Sequence, residues 1–217
     1  MKKVLIIMAG ILMLGVDSNA QYDPDAKKVL DNMSEVYQSI PSFTANITYT
    51  LENIEDDIHE SFEGEIGIKK DKFRLLAEEQ EIIINDKTVW TYLAEENEVN
   101  IDNYSPEDED VTPSNIYNIY KKGYKYLLFG EEVIDNKTYS VVDLAPENTD
   151  SDYFRIRLFI GKSDYILRKF IMYAKSGNRY IYEITNFNPR ANLPDSYFVF
   201  DVKRYDDIDV IDLRIEN

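Results

Sequence analysis

The clearest periodicity in the chain lies between Phe62 and Tyr104. Phe62, Gly64, Ile66 and Ile68 alternate with Glu63, Glu65, Gly67 and Lys69, and Phe73 and Leu75 alternate with Lys72, Arg74 and Leu76. A repeat of two gives each extended run one apolar and one wet face. Ile82, Ile83 and Ile84 follow without a break, as a strand covered on both faces can. Asn85-Asp86-Lys87 supplies a turn before Thr88–Leu93, and Ala94–Asn97 separates that run from Val99-Asn100-Ile101. The spacing predicts an antiparallel meander of five short strands, whose dry face needs a cover.

The flanking segments supply the covers and more strand. Asp23 is placed to cap a helix with Pro24 at its first position. Ala26, Val29, Leu30, Met33, Val36, Tyr37 and Ile40 recur at spacings of three and four, and Pro41 ends the run. Phe43, Ala45, Ile47, Tyr49 and Leu51 then alternate with polar residues as a strand. A second helical region is expected from Thr112 to Leu128, where Ile116, Ile119, Tyr120, Tyr124, Leu127 and Leu128 fall near helical spacing and Gly123 can divide it in two. Beyond Gly130 the pattern returns to strands: a hairpin over 131–145, runs at 153–160, 166–174 and 179–187, and a last short strand at Phe198-Val199-Phe200. About a dozen strands in one antiparallel sheet must curl or split. The fold class expected is therefore mainly β with helices (α+β): a curled sheet, open or nearly closed, with helices across its concave side.

Charge and composition narrow the chemistry. The net charge of −17 argues against nucleic acid and against resting on an anionic membrane. Acidic residues thicken at 52–60, 107–110 and 147–152, where loops are expected. The chain has no cysteine, which removes disulfides, thiol catalysis and cysteine metal sites. At the N-terminus, Lys2 and Lys3, the apolar run Val4–Gly15 and the small residues Ser18-Asn19-Ala20 read as a cleaved secretory signal peptide over 1–20. Residues 21–217 then form a single domain starting at Gln21. The one histidine, His59, sits in the polar stretch Asp56–Glu60 and reads as a solvated loop residue. No nucleophile elbow or phosphate-cradling glycine loop is present, and 147–152 lacks the glycine and closing glutamate of a calcium loop. No enzyme, cofactor or metal is expected. Seventeen tyrosines, ten phenylalanines and one tryptophan can either fill a core or line a cavity, and the pattern does not separate the two.

The run Gly64–Lys70, then Lys72-Phe73-Arg74, Asp86–Tyr92, Leu193–Asp201 and Val210-Ile211-Asp212 resembles, in that order, the LolA family of outer-membrane lipoprotein carriers. The resemblance implies an incomplete barrel with a helical lid over an apolar cavity. It implies a monomeric periplasmic protein that receives acylated lipoproteins from an inner-membrane lipoprotein-releasing transporter and passes them to an outer-membrane acceptor. Carried onto this chain, the cavity wall would be Ile47, Tyr49, Ile66, Ile68, Phe73, Leu75, Trp90 and Tyr92. The lid would be Val29, Leu30, Met33, Ile116, Ile119 and Tyr120. Lys70 stands where the family has a basic residue that latches the lid, but it is lysine rather than arginine and lacks the planar fork. Two alternatives use the same pattern: a periplasmic lipid- or lipoprotein-sensing regulator of the RseB/MucB type, which usually carries a further domain, and a structural β module with a filled core.

Overall fold

The computed structural model describes residues 22–77, 79–85, 87–104, 111–112 and 114–214. The leader expected over 1–20 and the acidic run 107–110 lie outside them. Asp23 caps helix α1 (Pro24–Ser39), its carboxylate accepting from the amides of Asp25, at 2.8 Å, and Ala26. The chain leaves the helix through Ile40 in extended conformation, as Pro41 demands. Ala26, Leu30, Met33 and Tyr37, three and four residues apart, are the buried stripe.

Twelve strands then make one sheet: β1 (Phe43–Asn53), β2 (Ile58–Lys69), β3 (Lys72–Ala77), β4 (Gln80–Asn85), β5 (Thr88–Leu93), β6 (Glu98–Asn103), β7 (Tyr124–Ile134), β8 (Lys137–Pro146), β9 (Tyr153–Gly161), β10 (Leu167–Ala174), β11 (Arg179–Asn188) and β12 (Asp209–Asp212). Their order is β12-β6-β5-β4-β3-β2-β1-β11-β10-β9-β8-β7. Every pairing is antiparallel except β12 on β6. The two edge strands, β12 and β7, do not pair with each other, so the curled sheet is an incomplete barrel. The five-strand meander is β2 to β6, in the expected order.

Three expectations are corrected. The described residues of the stretch Thr112–Leu128 form no α-helix. Residues 114–118 are turns, 119–121 a short 3-10 turn, and from Tyr124 the chain is already strand β7. Gly123, with φ of 79°, makes the switch. Tyr124, Tyr126 and Leu128 alternate with Lys125 and Leu127, and so short an apolar run satisfies both periods. Phe198-Val199-Phe200 is not a paired strand. It continues from a 3-10 turn at Asp195–Phe198 and alternates in burial without a strand partner. His59 lies on β2 opposite Glu52 rather than in a loop, and is exposed.

The core has two main parts, one on each side of the sheet. On the concave side, α1, Val111 and residues 114–120 bury Leu30, Met33, Tyr37 and Ile116 against Phe43, Ala45, Ile66, Ile68, Leu158 and Phe170. On the outer side, the C-terminal segment from Asn188 to Leu213 forms a strap across β3–β6. Phe198 and Phe200 pack there on Ile83, Val99 and Ile101. Gly67 belongs to this arrangement: a Cβ would stand 2.5 Å from the Tyr197 ring, so only glycine lets the strap lie flat.

Candidate binding site

Register assigns every side chain to a face. Phe43, Ala45 and Ile47 of β1 oppose Ile68, Ile66 and Gly64 of β2. Ile66 and Ile68 oppose Leu75 and Phe73 of β3, and Phe73 opposes Ile84 of β4. In the other direction Ile47 and Tyr49 oppose Ile184 and Tyr182 of β11, and Tyr182 opposes Phe170 of β10. These residues share the concave face. Five of the eight expected wall residues, Ile47, Ile66, Ile68, Phe73 and Leu75, are in the concave cluster, and all six lid residues join them. Leu30 and Met33 are fully buried, Ile116 and Tyr120 are buried, and Val29 and Ile119 are partly buried at its margin.

Tyr49 is on the same face but only half-buried. Its ring lies 5.0 Å from Tyr182, 6.1 Å from Phe62 and 6.5 Å from Tyr180, and Tyr182 stacks on Phe170 at 4.4 Å. Four adjacent strands thus carry a continuous row, Phe62–Tyr49–Tyr182–Phe170. Phe170 is fully buried, whereas Phe62 is 53% exposed. The row leads from the covered core to open solvent. Burial raises the Tyr49 hydroxyl pKa above its ordinary value.

Trp90 and Tyr92 fall on the other side. Trp90 opposes Ile83 and Ile101, and Tyr92 opposes Val99; both pack in the outer cluster beneath the strap. The rings of Phe200 and Tyr205 lie 5.7 and 4.4 Å from Tyr92. They do not share a face with the other six wall candidates. Lys70 is exposed in the β2–β3 turn with φ of 55°, and among the described residues its side chain makes no hydrogen bond or ion pair.

The polar groups of the lid bond mainly to one another. The Tyr120 hydroxyl donates to Asp31 Oδ1 at 2.7 Å, Ser34 Oγ donates to Asn118 Oδ1 at 2.8 Å, and Lys121 Nζ donates to Ser34 Oγ at 2.7 Å. Lys27 holds the Asp31 carboxyl below the usual carboxylate range, with help from Tyr120. Burial, and then Asp31, push the Tyr120 hydroxyl well above its ordinary value. This seam fastens α1 to residues 118–121. Toward the sheet the lid presents chiefly aliphatic and aromatic groups. Its polar ties to strands are few: at one end of α1 Asp23 bonds the amide of Leu128 at 3.0 Å and donates its own amide to the Tyr126 carbonyl at 3.2 Å, and near the other the buried Tyr37 hydroxyl bonds the backbone of Leu167 in β10.

The strap is held differently, by cations that the sequence pattern left on the wet face. Lys69 Nζ donates to the Leu193 carbonyl at 2.9 Å, and Lys69 and Lys72 meet Asp195 at 3.1 and 3.2 Å. Arg74 donates to the Tyr197 carbonyl at 2.9 Å, pairs with buried Glu81 at 2.6 Å and lies 4.7 Å from the Tyr197 ring centre. Sequence reasoning missed this role. The available signal was three cations on one face of β2–β3, matched to an acid and aromatics at 195–198.

The concave site therefore offers an apolar wall, a cover held to it mainly by apolar contact, and an aromatic row running to the surface. That arrangement suits enclosing hydrocarbon. Among the described residues no helix is long and apolar enough to cross a membrane. A single curled sheet with a helical cover on its concave side defines the class, and the sequence places the chain within it. The chain belongs to the family of the outer membrane lipoprotein carrier protein LolA, whose model matches residues 38–201. Among solved structures it is similar to an uncharacterized conserved protein from Thermus thermophilus, at 18% identity and a TM-score of 0.58, covering 87% of this chain and 99% of that one. It is similar also to the lipoprotein LppX of Mycobacterium tuberculosis, at 10% identity and a TM-score of 0.53, covering 79% and 100%. A LolA superfamily protein from Nitrosomonas europaea aligns over 81% of this chain and 97% of its own at 16% identity, with a TM-score of 0.45. At these identities the likeness is one of fold. No curated protein matches the sequence significantly.

Proposed function

We propose that the protein is a periplasmic carrier that encloses the acyl chains of lipoproteins between its lid and the concave face of the sheet. It takes them from an inner-membrane releasing transporter, delivers them to an outer-membrane acceptor, and works as a monomer without cofactor or catalytic step. The observation that carries this reading is the aromatic row from exposed Phe62 through Tyr49 and Tyr182 to buried Phe170, which continues the lid-covered core out to the surface. A merely filled core has no use for such a row. Membership of the LolA family supports the choice of cargo.

The energetics explain the design. Each acyl methylene kept from water is worth about 0.8 kcal/mol, so exposing one chain of roughly sixteen carbons costs on the order of 10 kcal/mol. A shuttle must enclose the chains and still let go. A lid that meets the wall through undirected apolar contact can be displaced by hydrocarbon of the same polarity, and it returns when the cargo leaves.

The test is a release assay. Purified protein lacking residues 1–20 is added to spheroplasts of a diderm host with its matching transporter, and the supernatant is examined for newly made lipoproteins bound to it. Their appearance supports the carrier. Tight acyl binding without release favours a lipid sensor. Neither release nor acyl binding means that the concave face is a filled core.

A further inference from the structure

The outer side of the sheet is covered by the strap over β3–β6; among the described residues no chain segment lies across it over β7–β11, where Tyr139, Val141 and Phe159 are buried by neighbouring side chains alone. Besides the register shifts at Leu167/Lys169 of β10 and where Thr44 and Asn46 of β1 meet β11, two β-bulges shape this half. One lies in β7 between Leu128 and Gly130, the other in β9 where Tyr173 and Ala174 of β10 shift from Arg155 to Tyr153. The extra residue in each is a phenylalanine that faces out: Phe129 is 60% and Phe154 is 52% exposed. Each lies beside an arginine of β9. The Arg157 guanidinium stands 3.8 Å from the Phe129 ring centre. That of Arg155 stands 5.8 Å from Phe154 and 4.0 Å from Tyr173. Bulges re-aim side chains, and two of them presenting the same Phe–Arg unit on one face make a surface for contact.

The arginines differ in what remains free. Arg157 is spent on Asp143, through bonds of 2.7 and 2.8 Å, and Arg179 pairs with Glu52 at 3.2 Å. Arg155 makes no hydrogen bond or ion pair among the described residues, and its Nε is buried without a partner. Lys125, two residues from exposed Leu127 on the same face, also has no ion pair among the described residues. In a chain of net charge −17 this is a local site for a carboxylate.

The covered half shows what such a surface takes. There Arg74 stands over the Tyr197 ring and donates to the Tyr197 carbonyl, the Asp195 carboxylate sits on Lys69 and Lys72, and Phe198 and Phe200 fill the sheet surface. That occupant is an extended segment mixing aromatics with acids. We propose that the outer face of β7–β11 is a docking surface for an extended segment of a partner protein carrying carboxylates beside aromatic or aliphatic side chains. Its carboxylate pairs with Arg155, and its apolar side chains lie against Phe129 and Phe154. An anionic bilayer would offer negative charge too, but it repels the chain as a whole. The assignment does not depend on what the concave side binds.

The probe is a labelled peptide with the sequence of residues 193–201, the molecule's own example of that chemistry, titrated into the full chain and followed by fluorescence anisotropy. Saturable binding is expected, weakened about tenfold or more by Arg155→Glu. Phe129→Ser and Phe154→Ser, exposed positions that leave the core alone, weaken it too, and a peptide with lysine in place of both aspartates does not bind. Three outcomes of the titration overturn the proposal: no saturable binding; binding unchanged in all three variants; or binding lost on Lys72→Glu instead, which places the peptide in the strap's own seat. A homodimer in sedimentation equilibrium that dissociates on Arg155→Glu also overturns it, because the occupant is then a second copy.

Discussion

The lid and the strap are both single-layer covers on one sheet, and they are attached by different physics. The lid meets the concave face mainly through Leu30, Met33, Ile116 and their neighbours, while its polar groups are turned inward on the Asp31–Tyr120 and Ser34–Asn118 seam. The strap also buries aromatics, but Lys69, Lys72, Arg74 and Glu81 pin it at named atoms, and β12 stitches its end to β6. Apolar contact has no direction and can be exchanged for other apolar contact. A charge-assisted hydrogen bond fixes one geometry, and breaking it strands a buried partner. On the proposed carrier reading, one sheet thus carries a cover made to be displaced and a cover made to stay.

The strongest way to break this comparison is at the strap's fully buried anchor. Phe198→Ala is expected to destabilise the fold by about 3–5 kcal/mol in chemical denaturation, since it empties the centre of the outer cluster. Acyl binding by the molecules that remain folded should be unchanged. Gly67→Ala comes next, at about 1–3 kcal/mol, because the new methyl lies against the Tyr197 ring and the strap must lift. Limited proteolysis should then cut within 190–205 before it cuts anywhere in α1. Tyr120→Phe is smaller, about 1 kcal/mol, and acts on the other cover. It removes one tie of the seam between α1 and residues 118–121, leaving those of Ser34 to Asn118 and Lys121, and stopped-flow fluorescence should report faster entry of a fluorescent fatty acid.

The smallest effect is a pH dependence. Burial and the neighbouring Glu81 push the Tyr205 hydroxyl up to about 12, and it donates to Glu81 at 3.1 Å. A pKa raised in the folded state means that the neutral form is favoured by folding. The contribution is therefore complete below pH 10 and is lost as pH rises toward about 12. The stability gap between the wild type and Tyr205→Phe should shrink over that window.

Much of the fold is legible in the sequence because alternation is a local signal. The meander and its order follow from it, the double coverage of Ile82–Ile84 follows from its interruption by an unbroken apolar run, and the structure places Ile84 against the concave core and Ile83 under the strap. Alternation separates two faces without saying which will be concave. Trp90 and Tyr92 share one face of β5, and nothing local says that this is the face the strap covers. The strap itself cannot be seen as a cover, since its anchors Phe198 and Phe200 also alternate like a strand. Tyr124–Leu128 is ambiguous for its shortness, and only the backbone at Gly123 settles it. The aromatic row needs the pairing of β1 with β11, strands far apart in sequence, before Tyr49 and Tyr182 can be seen side by side.

The most direct test of the displaceable lid is hydrogen exchange with and without a synthetic lipopeptide bearing three palmitoyl chains on its N-terminal cysteine. The account predicts that amide protection changes in 24–39 and 114–121 when the lipopeptide binds, while 193–205 stays as it was. Binding that leaves the lid amides untouched, or that instead loosens the strap, would contradict it.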